Sequence, residues 1–247
     1  MNDAAGTPVL VEIRRGRTVE NHHRGSAVVA DSKGAIVAAW GDRERPVFPR
    51  SAIKPLQAIP LVDSGAADAF GLGDIELALA SASHAGEPCH IAAVGAWLAR
   101  VGLSPADLEC GTHAPYSAAT AAALIHAGAA PTTLHNNCSG KHSGMLCLAL
   151  HLGAPTQGYV APAHPAQLAW RRVLGEMAGL DLSAAPAATD GCGIPTIALP
   201  LSGLARAAAR FATGAAYGDA CKRIRRAMTA ATAFFSPPYL NKDWALR

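Results

Sequence analysis

The chain opens on strand patterning and then turns almost wholly to helix, and that order limits the folds open to it. Residues 8–14, Pro-Val-Leu-Val-Glu-Ile-Arg, alternate in the manner of a strand. Residues 26–40 predict a hairpin, with apolar runs Ala27–Ala30 and Ala35–Trp40 flanking Asp31-Ser-Lys-Gly34. Two or three antiparallel strands therefore begin the chain, and their apolar faces and open edges need partners. Helices are predicted over 51–63, 74–82, 89–101, 116–127, 139–151, 163–178, 202–212 and 218–229. Pro105 after Ser104 fits a short helix start, and Gly153 and Gly179 stand where helices should end. The pattern shows no internal repeat and no later strands to complete the sheet. The expectation is an α/β fold in which helices surround an antiparallel sheet.

Composition narrows the function classes. A length of 247 residues suits one large domain, or a domain with a lobe. Half the residues are hydrophobic and 16% are charged, which excludes a disordered chain. A net charge of +3 is too weak to argue for nucleic acid, and Lys222, Arg223, Arg225 and Arg226 read as the solvated face of a helix. The six cysteines form no CxxC pair, so reduced thiols and a cytoplasmic setting are expected. No basic segment followed by an apolar run opens the chain, so no signal peptide is expected. The Ala-rich stretch 114–134 is broken by Pro115, His126 and Pro131 and lacks the apolar density of a membrane span.

Three segments carry chemistry. Residues 135–145, His-Asn-Asn-Cys-Ser-Gly-Lys-His-Ser-Gly-Met, place Cys138 three residues before Lys141 in a polar loop leading into a helix. A helix N-terminus and a nearby cation both stabilise a thiolate, which makes a metal ligand or a nucleophile. Cys192 stands in Thr-Asp-Gly-Cys-Gly-Ile-Pro, where Gly191 and Gly193 let the backbone bend around it. Cys138, Lys141 and Cys192 suit zinc if the amine is neutral; inert buried thiols are the plainer alternative. His142 also offers a ligand, but a helix neighbour of Lys141 points about 100° away. Ser51 and Lys54 at a helix start lie one turn apart, where a desolvated lysine serves as base for the serine; a helix cap with a surface lysine has the same spacing. Ser81, Ser83, His84 and Glu87 cluster at a helix end, as a pocket lining or a simple C-cap and turn. Asp190 is a partner for a substrate ammonium, or an Asx-turn residue.

Read jointly, these segments resemble the rhizobial-type, or class 3, L-asparaginases, the "asparaginase II" sequence family. The matching pieces are Arg50-Ser-Ala-Ile-Lys-Pro-Leu-Gln57, Ser83-His-Ala-Gly-Glu-Pro88, Asn137-Cys-Ser-Gly-Lys-His-Ser-Gly-Met145 and Thr189-Asp-Gly-Cys-Gly-Ile-Pro-Thr196, in matching order and spacing. The resemblance implies a fold like that of the serine β-lactamases and a group of glutaminases. It implies hydrolysis of L-asparagine to L-aspartate and ammonia through an acyl-enzyme, in a homodimer. It makes Ser51 and Lys54 a Ser-Lys pair and Ser83 a second catalytic serine. Cys138, Lys141 and Cys192 become zinc ligands, with water completing the shell, and Arg50 and Asp190 lie close to the substrate.

The resemblance runs from about residue 8 to about Met228 and leaves residues 229–247 as a non-matching tail. Residues 234–247 hold four of the chain's thirteen aromatics and Pro237-Pro238 without a regular period, which marks a docking tail or out-of-frame sequence. The expectation is an incomplete asparaginase-like domain over 1–228, truncated or frame-shifted. It would lack its closing strands and the lysine partner of Ser83, and so be poorly stable and nearly inactive. Two other functions fit parts of the chain. One is an acyl-serine enzyme of the β-lactamase or penicillin-binding type, against which no Ser-Asp-Asn or Lys-Thr-Gly is present. The other is an inactive zinc-binding fragment.

Overall fold

The computed structural model describes residues 6–235. Five strands come first: β1 (Val9–Arg15), β2 (Thr18–Arg24), β3 (Ala27–Ala30), β4 (Ile36–Trp40) and β5 (Pro46–Val47). A 3-10 turn, Arg50–Ile53, leads into α1 (Lys54–Gln57), α2 (Ile59–Asp63), α3 (Ala66–Ala69), α4 (Asp74–Ser81), α5 (Pro88–Arg100), α6 (Ala118–His126), α7 (Ser139–His151) and α8 (Pro165–Ala178). Then follow β6 (Ala187–Thr189), β7 (Pro195–Ile197), β8 (Leu199–Pro200), α9 (Leu201–Thr213), α10 (Gly218–Ala230) and α11 (Thr232–Phe235). The mixture is an α/β one. Among the described residues the strands form four separate antiparallel pairs, β1–β2, β3–β4, β5–β8 and β6–β7, where the sequence pattern predicts one sheet.

Helix α7 is the centre of the core. Every residue from Ser139 to Ala149 is buried, so the helix is enclosed on all sides by α2, α3, α4, α5 and α8. Two glycines allow this. A Cβ on Gly140 would stand 2.6 Å from the Leu79 carbonyl oxygen of α4, and one on Gly144 would meet Ala80 and Leu61 at 3.2 Å. The helices therefore approach closely, and Leu77, Leu79, Trp97, Leu146, Trp170, Leu174 and Met177 fill the space around them. Each such side chain contributes about 1.5–3 kcal/mol on burial. Helix α8 ends on Gly179 in the left-handed region at φ 68°, as its sequence position predicts.

The helix predicted over 51–63 is interrupted. Pro55 and Pro60 each lack an N–H and each sits in a first helical turn, so the segment breaks into the 3-10 turn, α1 and α2. Strand β2 was not expected, because Thr-Val-Glu-Asn-His-His-Arg has no apolar alternation; it pairs with β1 across Gly16. The basic face of α10 is only partly solvated. Arg223 pairs with Asp68 at 2.8 Å and Arg226 with Asp74 at 2.8 Å, while Arg225 reaches the Phe211 carbonyl and ring.

All seven residues of β1 are exposed, Val9, Leu10, Val11 and Ile13 among them. Strand β3, by contrast, packs on α9. Helix α10 continues through Met228, and Phe234 of α11 sets its ring edge-on to His90. Tyr239, Trp244 and Pro237-Pro238 of the aromatic tail lie outside the described residues. No helix among the described residues is long and apolar enough to cross a membrane.

The tight α4–α7 contact gives a direct test. Gly140→Ala forces a methyl against Leu79 backbone and is expected to cost about 1–3 kcal/mol. At about 2–4 °C per kcal/mol for a chain of this size, thermal unfolding followed by circular dichroism should show a clear drop; an unchanged midpoint would mean that the helices separate freely.

Candidate active site

Four segments converge at the N-terminus of α7: the 3-10 turn and start of α1, the turn after α4, residues 136–141, and the β6–β7 turn. Asn136 fixes the helix start. Its Oδ1 accepts from Cys138 N at 2.9 Å, and its Nδ2 donates to the carbonyls of Cys110 and Gly111 at 2.8 and 3.2 Å. The β6–β7 turn is closed by Asp190 N to Ile194 O and Gly193 N to Asp190 O, both 2.8 Å, which sets Cys192 at its tip.

Lys54 is 1% exposed, yet it carries an amine. Its Nζ donates to Ser83 Oγ at 2.6 Å and to Ala82 O at 3.2 Å. Burial pushes the Lys54 ammonium below its ordinary value, against the opposing pull of Cys138. Ser51, one turn before Lys54, is exposed and makes no hydrogen bond with it among the described residues. The spacing of Ser51 and Lys54 therefore holds along the backbone, while the lysine amine faces the second serine. Both serines are accessible, and Lys54 is buried behind them.

Cys138, Lys141 and Cys192 come together although 51 residues separate the last two. Lys141 Nζ donates to Cys192 Sγ at 3.1 Å, and Cys138 is the neighbouring thiol that most affects Cys192. The neighbouring Cys192, with Lys141 and Lys54 alongside, brings the Cys138 thiol below its ordinary value. The adjacent Cys138 and burial push Cys192 upward. The two thiols are thus shifted in opposite directions beside two lysine amines. All three side chains are buried, and two thiols with an amine are a donor set that suits a zinc ion. His142 turns away, as its helix position predicts, and its Nδ1 meets the Tyr159 hydroxyl at 2.6 Å. A different group, Glu87, Cys89 and His90, has ligand atoms within 4.8 Å of one another. There His90 already uses Nδ1 on Glu87 N and Nε2 on Phe234 O, so the ring offers no open nitrogen.

Arg50 and Asp190 form the charged flank. Arg50 Nε donates to Asp190 Oδ1 at 2.9 Å, and Gly191 N donates to the same oxygen at 2.8 Å. Burial would raise the Asp190 carboxyl, but the Gly191 amide and Arg50 outweigh it and hold the group below its ordinary value. Arg50 has φ 47°, a left-handed backbone rare for a residue with a side chain and characteristic of functional sites. Between these groups lies a recess of about 110 Å³, lined by Arg50, Ser51, His113, Tyr116, Asn136, Asn137, Cys138, Asp190, Gly191 and Cys192. A hollow of about 780 Å³ lies between α2–α3 and α10, but its lining of Asp63, Asp68, Asp219, Lys222 and Arg223 holds no cysteine, serine or histidine.

The sequence reading missed His113 and Tyr116. Tyr116 was assigned to the start of a helix; the structure caps that helix one residue later, where Ser117 Oγ accepts from Thr120 N. The local signal for that boundary is Ser117, a residue type favoured at a helix N-cap. The turn bearing Ser83 is also tied down. His84 is buried, its Nδ1 accepts from Gly86 N at 3.1 Å and its Nε2 bonds Ser139 Oγ at 2.8 Å. Burial drives His84 down to about 3, so the ring is a neutral strut.

The family model described as L-asparaginase II matches residues 11–236, nearly the whole chain, and the chain belongs to that family. The matched span reaches into the segment after Met228. Comparison with curated proteins gives no match.

Gly86 joins this turn to the recess wall. It has φ 72°, and a Cβ there would stand 2.9 Å from His135 O and 3.0 Å from Pro115 Cβ. Gly86→Ala is expected to cost about 1–3 kcal/mol. Calorimetry should show a lowered unfolding midpoint, and wild-type stability would show that the turn yields without strain.

Proposed function

We propose that this member of the L-asparaginase II family hydrolyses the side-chain amide of L-asparagine through a serine acyl-enzyme, giving L-aspartate and ammonia. The observation that carries the reading is Lys54, buried, below its ordinary pKa and 2.6 Å from Ser83 Oγ, beside a recess holding Ser51, Arg50 and Asp190. A neutral lysine amine accepts the serine proton as Oγ attacks the amide carbon. The same ammonium returns the proton to the departing nitrogen, ammonia leaves, and an ester remains. Water then cleaves the ester by the same proton transfers, releasing L-aspartate and free serine. Asp190 faces the substrate ammonium and Arg50 its carboxylate. The recess is far below the roughly 300–1,000 Å³ of drug-sized sites, which suits a single small amino acid.

Ser51 is the acylated residue in this reading, because it opens into the recess. Ser83 holds the lysine amine and relays its proton. The 2.6 Å bond favours a second reading in which Ser83 itself is acylated. Cys138, Lys141 and Cys192 would hold zinc, which when bound supplies a fixed positive charge at the recess floor. A serine β-lactamase-like fold, a homodimer and a cytoplasmic setting belong to the same reading. The exposed apolar residues of β1 support a covering partner, and the six free thiols support a reducing compartment.

Four measurements test this. Metal analysis should give about one zinc per chain in the wild type and far less in Cys138→Ala; equal content would remove the metal assignment. Ammonia release from L-asparagine should fall by at least about a thousandfold in Ser51→Ala and in Lys54→Met, with no further loss in the double variant. Mass spectrometry of quenched turnover assigns the acyl group to the peptide with Ser51 or to that with Ser83. Full activity in Ser51→Ala with acylation on Ser83 would transfer the nucleophile's role. Hydrolysis of a chromogenic β-lactam in place of L-asparagine would overturn the substrate.

A further inference from the structure

One wall of the recess has no part in the acyl transfer just described, and it is built with care. Tyr116 lines the recess and is 64% exposed, an unusual setting for a phenol ring. Its ring lies on the His113 ring, centroids 5.0 Å apart and planes inclined by 24°. His113 is itself held: Nε2 accepts from Asn137 N at 3.0 Å, and Nδ1 meets Ala114 O at 2.7 Å. The next residue is pinned too, since Ser117 N donates to Ala85 O at 2.9 Å. The Tyr116 segment is therefore clamped on one side to the loop before α7 and on the other to the turn that carries Ser83. Tyr116 and Arg50 line the same recess.

We propose that Tyr116 is a specificity-determining residue, its hydroxyl sharing the substrate α-carboxylate with Arg50 and its ring, seated on His113, limiting the length of the side chain admitted. This deepens the amidohydrolase reading and rests on it. The ligand class is a short L-α-amino acid with a side-chain amide. Arg50 spends Nε on Asp190, so its terminal nitrogens are free to face a carboxylate, and a phenol O–H is the matching neutral donor. The ring adds a flat wall that a longer side chain must displace.

The test uses the full chain and the variants Tyr116→Phe and Tyr116→Ala. Tyr116→Phe keeps the wall and removes the donor. It should raise KM for L-asparagine roughly tenfold, as for loss of one hydrogen bond to a charged group, with a smaller change in kcat. Calorimetric Kd for L-aspartate should rise in parallel, while Kd for 3-aminopropanamide, which lacks the α-carboxylate, should not. Tyr116→Ala also removes the wall and should raise kcat/KM for L-glutamine relative to L-asparagine several-fold above the Tyr116→Phe ratio. Wild-type KM and L-aspartate affinity in Tyr116→Phe would overturn the carboxylate role. Equal selectivity in the two variants would overturn the wall. A wild-type chain that neither binds L-aspartate nor releases ammonia from either amide would overturn the amidohydrolase reading itself, and this proposal with it.

Discussion

Two lysine amines are buried side by side with two thiols, and much of the molecule serves to make that tolerable. Lys54 and Lys141 are 1% and 3% exposed. Taking an ammonium out of water costs several kcal/mol unless a partner compensates it. Here burial pushes the Lys54 pKa down and outweighs Cys138, which draws the amine toward its charged form. The partners come from α1, α7 and the β6–β7 turn, so none of these can shift without leaving a buried charge alone. Helix α7 is enclosed on every face, with close approaches at Gly140 and Gly144, and so holds Lys141 firmly in that cluster.

The same arrangement reads as preparation for chemistry. A lysine whose amine loses its proton more readily than usual is a base. It sits at hydrogen-bonding distance from one serine and one turn from another. Arg50 is held in a costly backbone conformation by its bond to Asp190, which is in turn fixed by the Gly191 amide and the Ile194 turn. His84, neutral and bonded at both ring nitrogens, braces the Ser83 turn against Ser139. The polar groups of the recess are therefore placed by other polar groups, not by their own flexible side chains.

How much of this could be read beforehand follows the range of the interactions involved. Helix α7 spans the predicted 139–151, because its start and its apolar run are local features. Gly179 ended its helix as expected for the same reason. The prolines at 55 and 60 were misjudged, since proline is equally at home in a first helical turn and only context shows a new helix beginning. Strands β5 to β8, of two or three residues, leave no period to detect. The i, i+3 spacing of Ser51 and Lys54 predicts their neighbourhood, but the direction of the lysine amine is set by Cys138 and by the end of α4, 28 residues on at Ala82. The three proposed zinc ligands form a candidate group from residue chemistry alone, with inert buried thiols as the plainer alternative until the resemblance is added, and Tyr116 carries no local mark of its role.

The structure also divides its stability unevenly. The β1–β2 hairpin packs on itself and leaves Val9, Leu10, Val11 and Ile13 in water, so it adds little burial to the whole. The candidate site draws nothing from it. Every group in the recess is fixed through α1, α7, the turn after α4 or the β6–β7 turn, and these rest on the Trp97, Leu146, Trp170 and Leu174 core. Elements with few buried contacts open locally at low cost, while those on the core open only with the whole domain. Loosening of the first hairpin can therefore leave the lysine–thiol cluster intact, whereas loosening of α7 would expose both amines together.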